Sequence, residues 1–422
     1  MSKESPGHEV STAPRLLSSW KEIATLLGIS VRTAQIYEKT RGLPVQRDGK
    51  RVAALDTDLL EWRRRRLAEG SWWSNVNILQ RLVIVLSLVT ATLLASLLWT
   101  RRFSLLPQQT SYAAWSGTVL SGFNSHAQPI WRREFPDAVN QAVDVVNQRT
   151  PWVGDIDLDG RNETITIYPL QQRETKGWDV YCLSAEGAIR WRMAIGDTVQ
   201  NCSRTFSPPY VAHNFTTFPS PDRDGTMWTA AVFTHHTMSP SVLLVVDANG
   251  RHRGEYWQYG HMNVVRAADL DGNGAYQLLV AGVEEAQSQA MVAVFDPGNV
   301  HGSPQTRQPC SEFHLRNLPP STAKATVYFP RTPLNRKDAP FNFVDAMDLL
   351  GGGIQVTVHE TVDSLKGYLI YTLNSQLQPV DVVASAAYNS AILRFDAQNG
   401  LARDLGAHGV LALKDQVRVV RH

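Results

Sequence analysis

Apolar residues recur along this chain in three rhythms, and each rhythm predicts a different kind of element. Near the start they fall at helical spacing: Ile23, Leu26 and Leu27 follow Ser19-Trp20-Lys21-Glu22, a box in which the serine hydroxyl caps the helix and the glutamate reaches back. Gly28-Ile29-Ser30 ends that helix and caps a second, running from Val31 to about Thr40. Beyond Gly42-Leu43-Pro44, two short arms around Asp48-Gly49 signal a hairpin, and Asp56 caps a third helix over Thr57 to Ala68 whose Leu59, Leu60 and Trp62 pack back on the first two.

The second rhythm is an unbroken one. Residues 82 to 100 contain no charge, with Arg81 before them and Arg101-Arg102 after, and as a helix they extend roughly 28 Å at ~1.5 Å per residue. Two readings fit, a transmembrane helix or a buried core helix. The arginine bookends, with Trp72, Trp73 and Trp99 near the boundaries, favour the first. Ser87, Ala91 and Ala95 lie four apart, a small-residue face that suits a homodimer.

From about residue 115 the rhythm becomes alternation with turn residues every ten or so positions, the pattern of antiparallel β-structure. Strand-turn-strand segments begin at Thr118, Asp179, Leu243, Met291 and Tyr368. Ahead of several sits an acidic turn leading into another strand: Asp155 to Glu163, Asp269 to Gln277, and degenerate copies at Asp222-Arg223-Asp224-Gly225 and Asp348 to Gly353. Acidic turn, strand, then strand-turn-strand describes one blade of a β-propeller, with four to five blades recognisable and the C-terminal strand around Gln416 to Val420 available for closure.

Charge bears on sidedness. Residues 1 to 81 hold 14 Lys/Arg against 9 Asp/Glu, whereas 103 to 422 hold 25 against 30. With Arg63 to Arg66 and Arg81 before the apolar run and only Arg101 and Arg102 directly after it, the positive-inside rule places the N-terminus in the cytoplasm and the large domain outside. The expected location is the inner (cytoplasmic) membrane of a bacterium, single-pass, with the C-terminal domain periplasmic or extracellular.

Two resemblances sharpen this reading. Residues 17 to about 67, through WKEIA, LGISVRT and GLPV, resemble the excisionase/MerR-type winged helix-turn-helix. The resemblance implies DNA contacts from Arg32, Thr33, Gln35 and Lys39 on a recognition helix and from Arg47, Lys50 and Arg51 on the wing, while Ile36 departs from the basic residue relatives often carry there. The same head also reads as a protein-docking module. Residues 115 to 390 resemble the FG-GAP/VCBS repeats of integrin-like propellers. In the first turn Asp155, Asp157, Asp159 and Glu163, with the Arg161 carbonyl, offer the oxygens a Ca²⁺ ion takes. In the second, Asp269, Asp271, Asn273 and Gln277 carry less charge and bind more weakly; a solvated Asp-Gly turn is the alternative for both.

Three cysteines make no disulfide framework; Cys182 and Cys202 are a candidate pair, leaving Cys310 free or buried. HExxH, GxSxG and P-loop patterns are absent, so no enzyme is expected. The expected fold class is therefore multidomain: a disordered tail (1–16), a winged helix-turn-helix (17–70), one transmembrane helix (78–100), a linker (101–114) and an all-β propeller-like ectodomain (115–422). The expected function is a membrane-anchored one-component transcriptional regulator whose propeller senses an external ligand or protein partner. The alternative is a membrane-anchored binding or adhesion protein with a non-regulatory or docking head.

Overall fold

The computed structural model describes residues 14–69, 77–104, 109–137, 150–168, 177–305, 310–360, 367–399 and 407–422. The chain divides between residues 107 and 108 into two compact units. The tail before residue 14, Trp72, Trp73 and positions 105–108 of the expected linker lie outside the described residues.

The first unit builds from its caps inward. Helix α1 (Trp20–Leu27) starts at Ser19, whose hydroxyl accepts from Glu22 N at 3.3 Å while Glu22 Oε2 accepts from Ser18 N at 2.9 Å. Such a cap stabilises a helix by about 1 kcal/mol. Gly28 ends α1 at φ 65°, and helix α2 (Val31–Arg41) begins at once, its Thr33 N donating to Ser30 Oγ at 3.1 Å. The strands Gln46–Asp48 and Arg51–Leu55 form a hairpin with Leu16–Leu17 on its other edge, and helix α3 (Asp56–Glu69) follows. Ile23, Ala24, Leu27, Ala34, Leu43, Val52 and Leu59 make one small core.

Two parts of the expected architecture are corrected. Among the described residues no helix is long and apolar enough to cross a membrane. Helix α4 (Ile78–Ser104) forms over the uncharged run without meeting that requirement. The single-pass helix is withdrawn, and with it the inner-membrane location, the cytoplasmic N-terminus and the exported C-terminal domain. The winged helix-turn-helix is withdrawn as the fold class as well, because the described chain is mostly β-sheet, with seven α-helices among the described residues. The expected wing cation Arg47 is exposed but already paired: its guanidinium donates to both oxygens of Glu38 on α2, at 2.7 and 2.6 Å.

The second unit is propeller-like. Among the described residues five main sheets, antiparallel but for one edge pairing, follow one another along the chain: residues 112–134 (three strands), 152–193 (four), 210–258 (four, plus an added parallel edge), 262–328 (four, plus an added edge) and 343–384 (four), with a two-stranded ribbon at 199–206 between the second and third. The hairpins expected from the sequence share one turn. Asn124, Ser184, Asp247 and Asn374 each accept, through one side-chain oxygen, from the backbone N–H groups two and four residues on. The residue three positions on takes positive φ in all four: Ala127, Gly187, Gly250 and Leu377. Neighbouring sheets lock through these turns. Trp131 covers Gly187 and Trp191 covers Gly250, so closely that a Cβ on either glycine would lie within 2.6 Å of the indole.

Two details differ from the sequence pattern. The segment after Met291 does not return as a short hairpin; the strand Gln289–Phe295 pairs with Ala325–Tyr328, and His301–Gly302 crosses to the preceding sheet. The C-terminal strand Arg418–Arg421 adds to that same fourth sheet beside Ala325–Tyr328, and does not join the last sheet to the first. A short helix, α5 (Pro333–Asp338), connects sheets four and five, while α6 (Ala386–Asn399) and α7 (Ala407–Ala412) pack Tyr388, Ile392 and Val410 into the core those two sheets share.

Candidate functional site

The sequence nominated three sets of residues, and the structure treats them differently. In the head, Arg32, Gln35 and Lys39 are exposed along α2, and Lys50 and Arg51 are exposed at the hairpin tip. Thr33 bonds back to the Ser30 hydroxyl at 2.7 Å, and Arg47 pairs with Glu38, whose carboxyl is held below its ordinary range by that hydrogen bond.

The first acidic turn converges. Asp155, Asp157, Asp159 and Glu163 each bring a ligand oxygen within 4.8 Å of the others. The loop is folded by its own carboxylates: Asp155 accepts from Leu158 N and Gly160 N at 2.7 and 2.9 Å, Asp159 from Arg161 N at 2.8 Å, and Glu163 from Ile156 N at 3.2 Å. Arg190 lies beside the cluster, 2.5 Å from Asp157 and 3.0 Å from Glu163, while the Arg161 side chain pairs with Glu186. Burial pushes the Glu163 carboxyl up; the Ile156 N–H and Arg190 oppose this, and the charges of Asp157 and Asp159 add to it. Asp157 Oδ1 is buried with no hydrogen-bond partner, an oxygen that fits a cation.

The other turns keep the bend with less charge. Asp269 accepts from Asn273 N and Gly274 N, Asn273 from Ala275 N, and Gln277 from Leu270 N, repeating the first turn's scheme with Asp269 and Asp271 as its only carboxylates. At Asp348 no loop exists. The residue pairs with Gln355 inside a ladder that closes on Gly351-Gly352, both at positive φ. The cysteine expectation is corrected too: Cys202 is bonded to Cys310, 108 residues on, and Cys182 is a free, buried thiol in the core of the second sheet. Burial pushes that thiol up, so it stays protonated.

A fourth site was missed by the sequence. The first strands of sheets three, four and five each carry one extra residue early in the ladder. Ala212 and Asn214 face Phe233 and Val232 in succession, which leaves His213 unmatched. Met262 and Val264 leave Asn263 unmatched, and Val344 and Ala346 leave Asp345 unmatched. A bulge bends the strand and re-aims the extra side chain. His213, Asn263 and Asp345 all line one cavity of about 330 Å³. His261 and Glu285 add polar groups, and Met238, Val283, Phe341 and Phe343 supply apolar wall. The rings of His213 and His261 meet edge to face at 4.7 Å, and Asn263 Nδ2 donates to Val344 O at 2.9 Å, tying the fourth sheet to the fifth. Glu285 accepts from the Ser239 hydroxyl. The only signal in the sequence was a polar residue inside an apolar strand start, a pattern too common to single out.

No protein-family model matches the chain, and no curated protein does. The excisionase/MerR resemblance therefore has no support beyond its residues, and the DNA-binding assignment is withdrawn. Among solved structures the chain is similar to the Dos1 propeller, at 6% identity and TM-score 0.33 over 66% of this chain and 69% of that one. It is also similar to BBS1N in complex with ARL6DN, at 10% identity and TM-score 0.28 over 67% and 84%. A third likeness is to the V. cholerae biofilm matrix protein Bap1, at 11% identity and TM-score 0.21 over 66% and 56%. The propeller-like description of this chain rests on its own sheet order.

Proposed function

We propose that this protein is a β-propeller-like binding protein whose ligand seats in the cavity between the first strands of sheets three, four and five, the helical head being a docking module. The observation that carries this reading is the triple bulge. Three separate strands give up one ladder position each, and all three released side chains reach the same concave, mixed polar and apolar space, the usual character of a ligand site. The test compares the full chain with Asn263→Trp, which fills the cavity, in a thermal-shift screen of a chemically mixed fragment library. Fragments that stabilise the parent and not the variant support the reading. A hit set indifferent to the substitution, or no hits at all, removes it.

The first acidic turn is read as a Ca²⁺ turn of the FG-GAP/VCBS kind, with Asp155, Asp157, Asp159 and Glu163 as ligands and the ion stabilising the second sheet. The partnerless Asp157 Oδ1 supports it. Calcium at 100 times its dissociation constant adds about 2.7 kcal/mol of stability. The unfolding midpoint should therefore rise with CaCl₂, fall back with EDTA, and respond to neither in Asp157→Asn. A parent protein equally indifferent would show that Arg190 alone neutralises the turn. The second turn, with Asp269, Asp271, Asn273 and Gln277, should contribute far less.

A further inference from the structure

We propose that the ligand of the triple-bulge cavity is a small organic cation, an ammonium group on a compact aromatic or aliphatic body. This rests on the cavity being the ligand site and adds its chemical class.

Charge comes first. Among the described residues, the cavity wall holds two carboxylates, Asp345 and Glu285, and no lysine or arginine. They approach from different elements: Asp345 from the bulge in the first strand of the fifth sheet, Glu285 from the residue after the strand Gln277–Glu284 in the fourth. Both are half-buried, so water screens them less than it screens surface acids. Burial pushes the Glu285 carboxyl up, the Ser239 hydroxyl holds it back, and the charge of Glu312 pushes it further. A site with this balance gains from a cation and loses from an anion.

The neutral wall agrees with that sign. Phe341 and Phe343 stand at the fifth-sheet side of the same cavity as the carboxylates, and an aromatic face attracts a cation through its quadrupole. Imidazole nitrogens at His213 and His261 and the Asn263 carbonyl oxygen are acceptors suited to N–H donors. Met238, from the turn beyond His235, adds a polarisable, adaptable cover, and Val283 an apolar floor for the body of the ligand. The size limits that body to a single ring or a short branched chain, since about 330 Å³ is at the small end of ligand cavities.

Three probes of one shape separate the charge classes: 2-phenylethylammonium, 2-phenylethanol and phenylacetate, titrated calorimetrically into the full chain at neutral pH. The ammonium should bind about tenfold tighter than the alcohol, the effect of one charge-assisted hydrogen bond, and phenylacetate should bind least. Asp345→Asn and Glu285→Gln should each erase most of the ammonium's advantage and leave the alcohol unchanged. Using both guards against one variant failing to fold, which its melting curve would reveal. Alcohol or phenylacetate binding as tightly as the ammonium, or an ammonium indifferent to both variants, overturns the cation class. If that binding still disappears in Asn263→Trp, the cavity remains the ligand site and only the class is wrong. Failure of all three probes also overturns the class, while the fragment comparison decides the cavity separately.

Discussion

Single ionisable residues in this protein sit in dry places, and Glu360 is the clearest case. It is fully buried, accepting from Thr332 N at 3.2 Å, from Thr332 Oγ1 at 2.7 Å and from Asn342 Nδ2 at 2.7 Å, and it fastens the α5 segment to the fifth sheet. Burial pushes its carboxyl up to about 7, with the Thr332 and Asn342 hydrogen bonds resisting. An acid raised in the fold is favoured there in its protonated form. The protein should therefore lose stability as pH climbs from the ordinary glutamate range toward 7, and lose no more from this group above it. The loss is at most about 3–4 kcal/mol, since a tenfold change in proton affinity is worth about 1.4 kcal/mol. Urea midpoints should be lower at pH 8 than at pH 5.5, and Glu360→Gln should flatten the difference; equal midpoints in the parent would contradict the buried acid.

At the scale of elements, the protein repeats two devices, and only one of them was readable. The side-chain-capped turn at Asn124, Ser184, Asp247 and Asn374 is written locally in its short polar acceptor, while the positive φ three positions on falls on a glycine in two of the four, Gly187 and Gly250. Asp247 also binds Arg253 at 2.8 Å, so Asp247→Ala should cost about 2 kcal/mol in chemical denaturation, more than an exposed turn residue would. The bulges left no such trace, because they are defined by the partner strand: His213, Asn263 and Asp345 differ from ordinary alternating residues only in having no opposite number. Pairing over long separations was equally hidden. Nothing near Cys202 points to Cys310, and nothing after Phe295 marks the detour through His301 before Ala325 takes the ladder. The bulge beneath Asn263 also constrains its neighbour. A Cβ on Gly282 would come within 1.9 Å of the His261 carbonyl oxygen, so Gly282→Ala should destabilise by about 1–3 kcal/mol and loosen the cavity floor. A neutral Gly282→Ala in thermal unfolding would place the bulge elsewhere.

At the scale of the whole molecule, the sheets form a series, each packed on the next, with three contiguous apolar cores. Such a series is tied mainly between neighbours, which gives the covalent link from Cys202 to Cys310 its value: it closes 108 residues that hold the third sheet and the first three strands of the fourth. In the chain-entropy picture a loop of that size is worth about 4–5 kcal/mol. Cys310→Ser, or a reducing buffer, should lower the unfolding midpoint to a similar degree; no change would mean the bond adds nothing the packing does not supply. The acidic turn and the strand alternation were legible because each lies within one blade. The expected membrane helix and DNA-reading head were inferred from local patterns, an uncharged run and a capped helix pair; no helix among the described residues is long and apolar enough to cross a membrane, and no family model matches the head.

Strands beginning at Tyr210, Met262 and Phe343 jointly make the proposed ligand site. Hydrogen–deuterium exchange of the full chain, with and without a fragment that Asn263→Trp abolishes, reads that arrangement without assuming the ligand's identity. New protection should concentrate at residues 210–215, 261–264 and 343–346, three stretches far apart in sequence. Protection confined to the outer strands of the sheets, or to residues 14–69, would contradict it.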